Sequence, residues 1–247
     1  MMAMRRAELR GRTRLTLGTL VIALLGLVLT GWATGSLLLP HVDAFDAGGA
    51  ARVAMTGGTA VDVWTGVSWL GSGVVVVVAG LVLCAVLVRR RCFDLVTIVA
   101  LGVIGPAALS SAVKLLVNRP RPALGQVAAS GPSFPSGHAT QAAAFYGVLI
   151  ALAVLLPIRD ATRLVAIGLC TAVMLAVAYS RLALGVHFPT DVIAGLLLGG
   201  TWAALTVAAV RPRRDHEATR SGIKKPDLRV PYSSPAHSTS EAGSFIR

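Results

Sequence analysis

Between Ser180 and Asp191 the chain reads Ser-Arg-Leu-Ala-Leu-Gly-Val-His-Phe-Pro-Thr-Asp, and three of these residues are equipped for chemistry. His187 and Asp191 stand four apart, with the helix-start signals Pro189 and Thr190 between them. A helix beginning here brings carboxylate to imidazole, the arrangement that orients a histidine for nucleophilic or acid–base work. Arg181 adds a fixed cation. The stretch lies between two long apolar runs, where an unpaired charge is costly. Taken alone it reads in two ways, as this chemistry or as a helix cap beside an interfacial arginine.

Further polar residues lie upstream. Lys114 closes one apolar run, and Asn118 to Gly137 is rich in Pro, Gly and Ser, with Arg119-Pro120-Arg121-Pro122 near its start and Pro135-Ser136-Gly137-His138 at its end. Its prolines exclude regular helix and predict a shaped loop. Each residue also has a plainer reading. Lys114 reads as a snorkelling helix end, Arg121 as a lipid-headgroup contact, and Ser136-Gly137 as a turn and cap. His41 stands without partners and reads as structural. What decides between the readings is whether the intervening elements bring these residues together.

Those elements are membrane spans. Of 247 residues 55% are apolar and 14% charged, and the mean hydropathy is +0.73. Several uninterrupted apolar runs of spanning length predict an all-α, polytopic protein with six transmembrane helices. The expected spans are 15–39, 66–88, 94–117, 138–156, 164–179 and 192–210. A basic N-terminus, 1–14, precedes this 15–210 core, and a basic tail lacking helical or strand period, 211–247, follows it. The first span is too long for a signal-peptide core and reads as an uncleaved anchor, although Ala33-Thr34-Gly35 supplies small residues of the cleavage type. Residues 40–65 are expected to be a polar, Gly-rich connection. In the third span Gly105-Pro106 predicts a kink, and in the sixth Gly195-Leu-Leu-Leu-Gly199 has the spacing of a packing face. Cys84, Cys92 and Cys170 show no paired spacing, which supports neither a disulfide framework nor a thiolate metal site.

The net charge of +12 would suit nucleic acid, but its placement does not. With both termini in the cytoplasm, cytoplasmic segments hold 18 of the 23 Lys and Arg, and no basic–aromatic alternation joins them. The exceptions are Arg52, Lys114, Arg119, Arg121 and Arg181. Cations gathered on the side that ordinarily lacks them point to an anion site, on the extracytoplasmic face of the plasma membrane.

Under this topology Lys114, Arg121, Ser136, His138, Arg181, His187 and Asp191 all fall at the outer ends of spans three to six. Three cations, loop N–H groups and a helix N-terminus then surround a tetrahedral dianion, for which phosphate is the obvious guest. His187, oriented by Asp191, is the nucleophile that would carry the phosphoryl group as phosphohistidine; His138, with no carboxylate four residues away, is left as general acid. The cations stabilise charge on the equatorial oxygens, each such donor being worth about 3–4 kcal/mol of barrier. No cofactor is called for, and the outward side carries no paired-carboxylate cluster of the kind that holds magnesium.

Lys114-x6-Arg121-Pro122, then Pro135-Ser136-Gly137-His138, then Ser180-Arg181-x5-His187-x3-Asp191 resembles the tripartite signature of the type 2 phosphatidic acid phosphatase superfamily. The resemblance covers 94–210 most strongly. It implies phosphate binding by Lys114, Arg121 and Arg181 with Ser136 and the Gly137 N–H, a His187 nucleophile oriented by Asp191, and a His138 proton donor. Arg119 falls inside the x6 interval and receives no role. Integral members of the family dephosphorylate lipid phosphates or diphosphates outside the cytoplasm, which makes a lipid phosphate the expected partner. Undecaprenyl diphosphate, phosphatidylglycerol phosphate and phosphatidic acid are the candidates, the first suiting a compact chain with little outside its spans. The competing functions are a lipid-linked phosphotransferase using the same residues, and a non-catalytic lipid-phosphate-binding or transport protein.

Overall fold

The computed structural model describes residues 2–54 and 57–210. Seven helices make up this region: α1 (Met2–Val53), α2 (Gly58–Trp69), α3 (Gly73–Arg89), α4 (Phe93–Val117), α5 (Gly137–Leu155), α6 (Asp160–Ala183) and α7 (Pro189–Ala209). They provide six spans long and apolar enough to cross a membrane, α2 and α3 together forming the second. The chain is therefore an all-helical, multi-pass membrane protein. Side chains of the basic segment 1–14, and the whole tail 211–247, lie outside the described residues.

Helix α5 sits at the centre, packed against α4, α6 and α7. Its inner face carries Ala139, Ala142, Ala143 and Ala144, all buried, so a neighbouring backbone can come close. Helix α7 uses that space through the two glycines of its small-residue pattern. A Cβ at Gly195 would stand 2.7 Å from the Ser136 carbonyl oxygen, and one at Gly199 would stand 2.2 Å from that of Thr140. The packing face expected at Gly195 and Gly199 is thus the α5–α7 contact, and it holds the start of α5 beside the start of α7. At mid-span the Trp202 ring lies against Gly105, and its indole donates to the Leu101 carbonyl at 2.9 Å. Outward faces carry exposed leucines, isoleucines and valines such as Leu81, Ile104, Leu164 and Leu197, as a hydrocarbon solvent requires.

Three expectations are corrected. Residues 40–65 are not an irregular connection, because α1 continues through Pro40 to Val53 and α2 begins at Gly58. Packing explains the continuation: Ala50 is buried, and Gly49 meets the Pro189 ring so closely that a Cβ would lie 2.8 Å from it. The second span is broken at Leu70-Gly71-Ser72, where Ser72 caps α3 by accepting from the Val75 N–H at 3.3 Å. Only glycine fits at 71, since a Cβ there would fall 2.3 Å from the Val177 side chain. Finally, α6 runs on to Ala183, so Ser180 and Arg181 belong to its last turns and the true interruption is the short turn 184–188. That turn is sharpened by Gly185 at φ 64°, whose Cα faces the Leu124 carbonyl.

Candidate active site

Helix α7 starts with Phe188 as cap, Pro189 in the first turn and Asp191 at the third helical position. Asp191 is fully buried, and each of its oxygens is engaged. Oδ2 accepts from the Phe188 N–H at 2.9 Å and from His187 Nδ1 at 3.4 Å, while Oδ1 accepts from Arg119 Nη1 at 2.9 Å. The carboxylate therefore caps its own helix and orients the imidazole in one geometry. With Nδ1 donating to Asp191, His187 Nε2 is left as an acceptor, and Arg121 Nη1 stands 3.2 Å from it. Burial lowers the His187 pKa to about 4; the Asp191 hydrogen bond and charge oppose that shift, and the Arg121 and Arg181 charges add to it. The ring is neutral across the physiological range, as a nitrogen nucleophile requires.

The remaining residues singled out in the sequence converge on this imidazole from other elements. His138, in the first turn of α5, is within electrostatic reach of His187, Arg181, Arg121 and Lys114. Lys114, on the last turn of α4, donates to the Pro132 carbonyl and, at 3.4 Å, to that of Ser133. Arg121 donates to the carbonyls of Gly131, Val186 and Ser130, each at 2.9 Å. Burial lowers its pKa, with the Asp191 charge opposing. Arg181 donates to Ser68 Oγ on α2, and its buried Nε has no partner among the described residues. The fully buried Ser136 Oγ is likewise unpartnered. The Gly137 Cα lies beside the Lys114 stem.

Such a set suits an oxyanion. Lys114, Arg121 and Arg181 are three cations whose hydrogen-bond partners among the described residues are carbonyls, a hydroxyl and the His187 imidazole, not carboxylates. An incoming phosphate would find unmade bonds at Arg181 Nε and Ser136 Oγ, and carbonyl contacts at Lys114 and Arg121 that a dianion outcompetes. Among the described residues no group of three or more His, Cys, Asp or Glu is arranged to hold a metal ion.

The structure also adds residues that sequence reasoning left out. Arg119, given no role above, is buried; besides Asp191 it binds Asp46 Oδ2 at 2.8 Å and the exposed Asp43 at 3.4 Å, and its guanidinium lies 4.2 Å from the Phe188 ring centroid. Burial opposes its charge, but the hydrogen bonds and charges of Asp46 and Asp191 outweigh that and raise its pKa. Asp46, in the segment expected to be a loop, is fully buried. The available signal was an acidic residue in an outer segment facing one cation too many.

The family model of the PAP2 superfamily matches residues 93–215. Lipid A 1-phosphatase of Rhizobium etli is 41% identical over 81 residues, which is 33% of this chain and 30% of that protein. The match thus spans less than a third of that relative's length. The crystal structure of a transmembrane PAP2-type phosphatidylglycerolphosphate phosphatase from Bacillus subtilis superposes with a TM-score of 0.65 at 25% identity, covering 76% of this chain and 94% of that one. Six spans, the three-part motif and these likenesses place the chain in the type 2 phosphatidic acid phosphatase (PAP2) superfamily.

Proposed function

We propose that this protein is a membrane phosphatase that hydrolyses a lipid phosphate or diphosphate without a metal ion, through a phosphohistidine. The observation that carries the proposal is a carboxylate-oriented His187 whose Nε2 faces Arg121, with Arg181 and His138 near it and Lys114 within reach of His138. His187 Nε2 attacks phosphorus in line with the lipid oxygen. The P–O bond to the lipid breaks, and His138 protonates the departing oxygen. Water then attacks the phosphohistidine, His138 takes its proton, the N–P bond breaks and inorganic phosphate leaves. Lys114, Arg121 and Arg181, with Ser136 and the Gly137 N–H, neutralise the equatorial oxygens in both steps. For this, Lys114 and Arg121 exchange the 130–133 carbonyls for phosphate oxygens.

Charge asymmetry supports a cytoplasmic location for both termini and an extracytoplasmic site in the plasma membrane. The substrate class is a lipid carrying a terminal phosphate; undecaprenyl diphosphate, phosphatidylglycerol phosphate and phosphatidic acid all present the dianion that the pocket suits. The test is phosphate release by purified protein from these three lipids in excess EDTA, with no other acceptor than water. Release from at least one is expected. Inertness towards all three, or activity that EDTA abolishes and magnesium restores, contradicts the proposal.

A further inference from the structure

Arg119 lies two residues from Arg121, but its surroundings are of another kind. Both terminal nitrogens are held by carboxylates, Nη1 by Asp191 and Nη2 by Asp46 and Asp43; Nη1 also donates to Thr190 Oγ1 at 3.0 Å, and Phe188 covers its face. The four N–H groups of its two terminal nitrogens are thereby engaged away from phosphate. Asp46 is equally committed. Besides Arg119 it accepts from the Thr190 N–H at 3.0 Å and from the Thr190 hydroxyl, so it also fastens the first turn of α7 to α1. Neither residue has a place in the chemistry derived above.

We infer that Asp46 and Arg119 are positioning residues for the reaction: Asp46 on α1 fixes Arg119, and Arg119 fixes the Asp191 oxygen that His187 does not use. The inference rests on the phosphatase reading. Two carboxylates flank one guanidinium, so the buried group Asp46–Arg119–Asp191 carries one net negative charge, and that charge faces His187. Without Asp46, Arg119 would neutralise Asp191 completely and weaken its hold on the Nδ1 proton. Without Arg119, Asp191 would lose its second anchor and could swing off the imidazole. Asp46 stands 73 positions from Arg119 and 144 from Thr190 in the sequence, so the relay ties the first span to the motif-bearing half of the chain.

The experiment compares Asp46→Asn, Arg119→Gln and the double variant with the wild-type protein in detergent, on whichever of the three lipids the wild type hydrolyses. Each single variant is expected to lower kcat by about tenfold, the usual size of coupling inside a buried ion network, with KM nearly unchanged. The acid limb of kcat/KM separates positioning from general damage. His187 is faced by Asp191 on α7, Arg121 in the loop, Arg181 on α6 and His138 on α5, with Lys114 on α4 beyond, and none of these changes in the variants. Asp46→Asn removes a negative charge and moves the limb to lower pH. Arg119→Gln removes a positive charge and moves it higher; the double variant restores the wild-type net charge and returns it. If Asp46→Asn does not fold, Arg119→Lys keeps the charge but not the fork, and is expected to lose kcat with the limb unmoved. Wild-type kcat in the single variants, or limbs that do not move in opposite directions, overturns the relay alone. A wild-type protein inert on all three lipids overturns the phosphatase reading and the relay with it.

Discussion

The two ends of the bundle formed by α4, α5 and α7 bury equal care in different materials. At the end near Arg89, the core consists of Leu87, Leu95, Ile98, Val99, Val148, Leu152 and Ala203, with no charged member. At the other end, Asp46, Ser68, Arg119, Ser136, Arg181, His187 and Asp191 are buried together. The first end needs only shape, and dispersion contacts hold it. The second withdraws several ionic groups from water, and replacing such groups with apolar ones is often neutral or stabilising. A chain selected for stability alone has no use for the second arrangement. The contrast teaches that folding and chemistry are separable along the membrane normal, joined by the α5–α7 contact.

Substitutions at the two ends are therefore expected to fail differently. His187→Ala removes the attacking atom, and phosphate release is expected to drop by about 10^4-fold or more, with the detergent-solubilised protein still folded by circular dichroism. Near wild-type turnover in that variant would break the contrast at once. Arg181→Ala takes away one oxyanion donor and is expected to cost about 10^2–10^3-fold in kcat/KM, with Arg181→Lys recovering part of it. The pH profile tests the same end without mutation. His187 acts in its neutral form and its pKa is lowered to about 4, so the neutral form persists down to that pH and is lost only below it. The acid limb of kcat/KM is expected near 4; a limb near the ordinary histidine value would mean that burial and the facing cations do not act on the free enzyme as described. At the apolar end, Ile98→Ala is expected to cost about 2 kcal/mol of stability through the cavity it leaves, while kcat per folded molecule stays unchanged. A fall in kcat there would show that the ends are coupled and not separable.

How much of this was legible in the sequence follows the same division. The spans were visible because hydrocarbon demands long apolar runs, and that signal is local. The convergence of Lys114, Arg121, His138, Arg181, His187 and Asp191 was legible because alternating spans return the chain to one membrane level and each motif keeps its residue types at short spacing. Helix α1 beyond Pro40 was not, because proline, glycines and two aspartates have the composition of a loop. What keeps that segment helical is tertiary: Asp46 meets Arg119 and Thr190, and Gly49 meets Pro189. The break at Leu70-Gly71-Ser72 was hidden for the opposite reason, since apolar residues continue through it and the groups that crowd Gly71, the Val177 side chain and the His138 carbonyl, lie far away in sequence. Arg119 was hidden in plain view. It sits inside a motif whose spacing assigns the phosphate role to its neighbour, and its own role depends on a carboxylate in the first span.

The central claim is that His187 carries the phosphoryl group. Purified protein incubated briefly with the lipid it hydrolyses, labelled with 32P in the terminal phosphate, and quenched in alkali is expected to hold acid-labile, base-stable label on the peptide containing His187. The label is expected to vanish in His187→Ala and to chase into inorganic phosphate in the wild type. Label on another residue, or rapid phosphate release with no label on His187 at any quench time, would contradict the account.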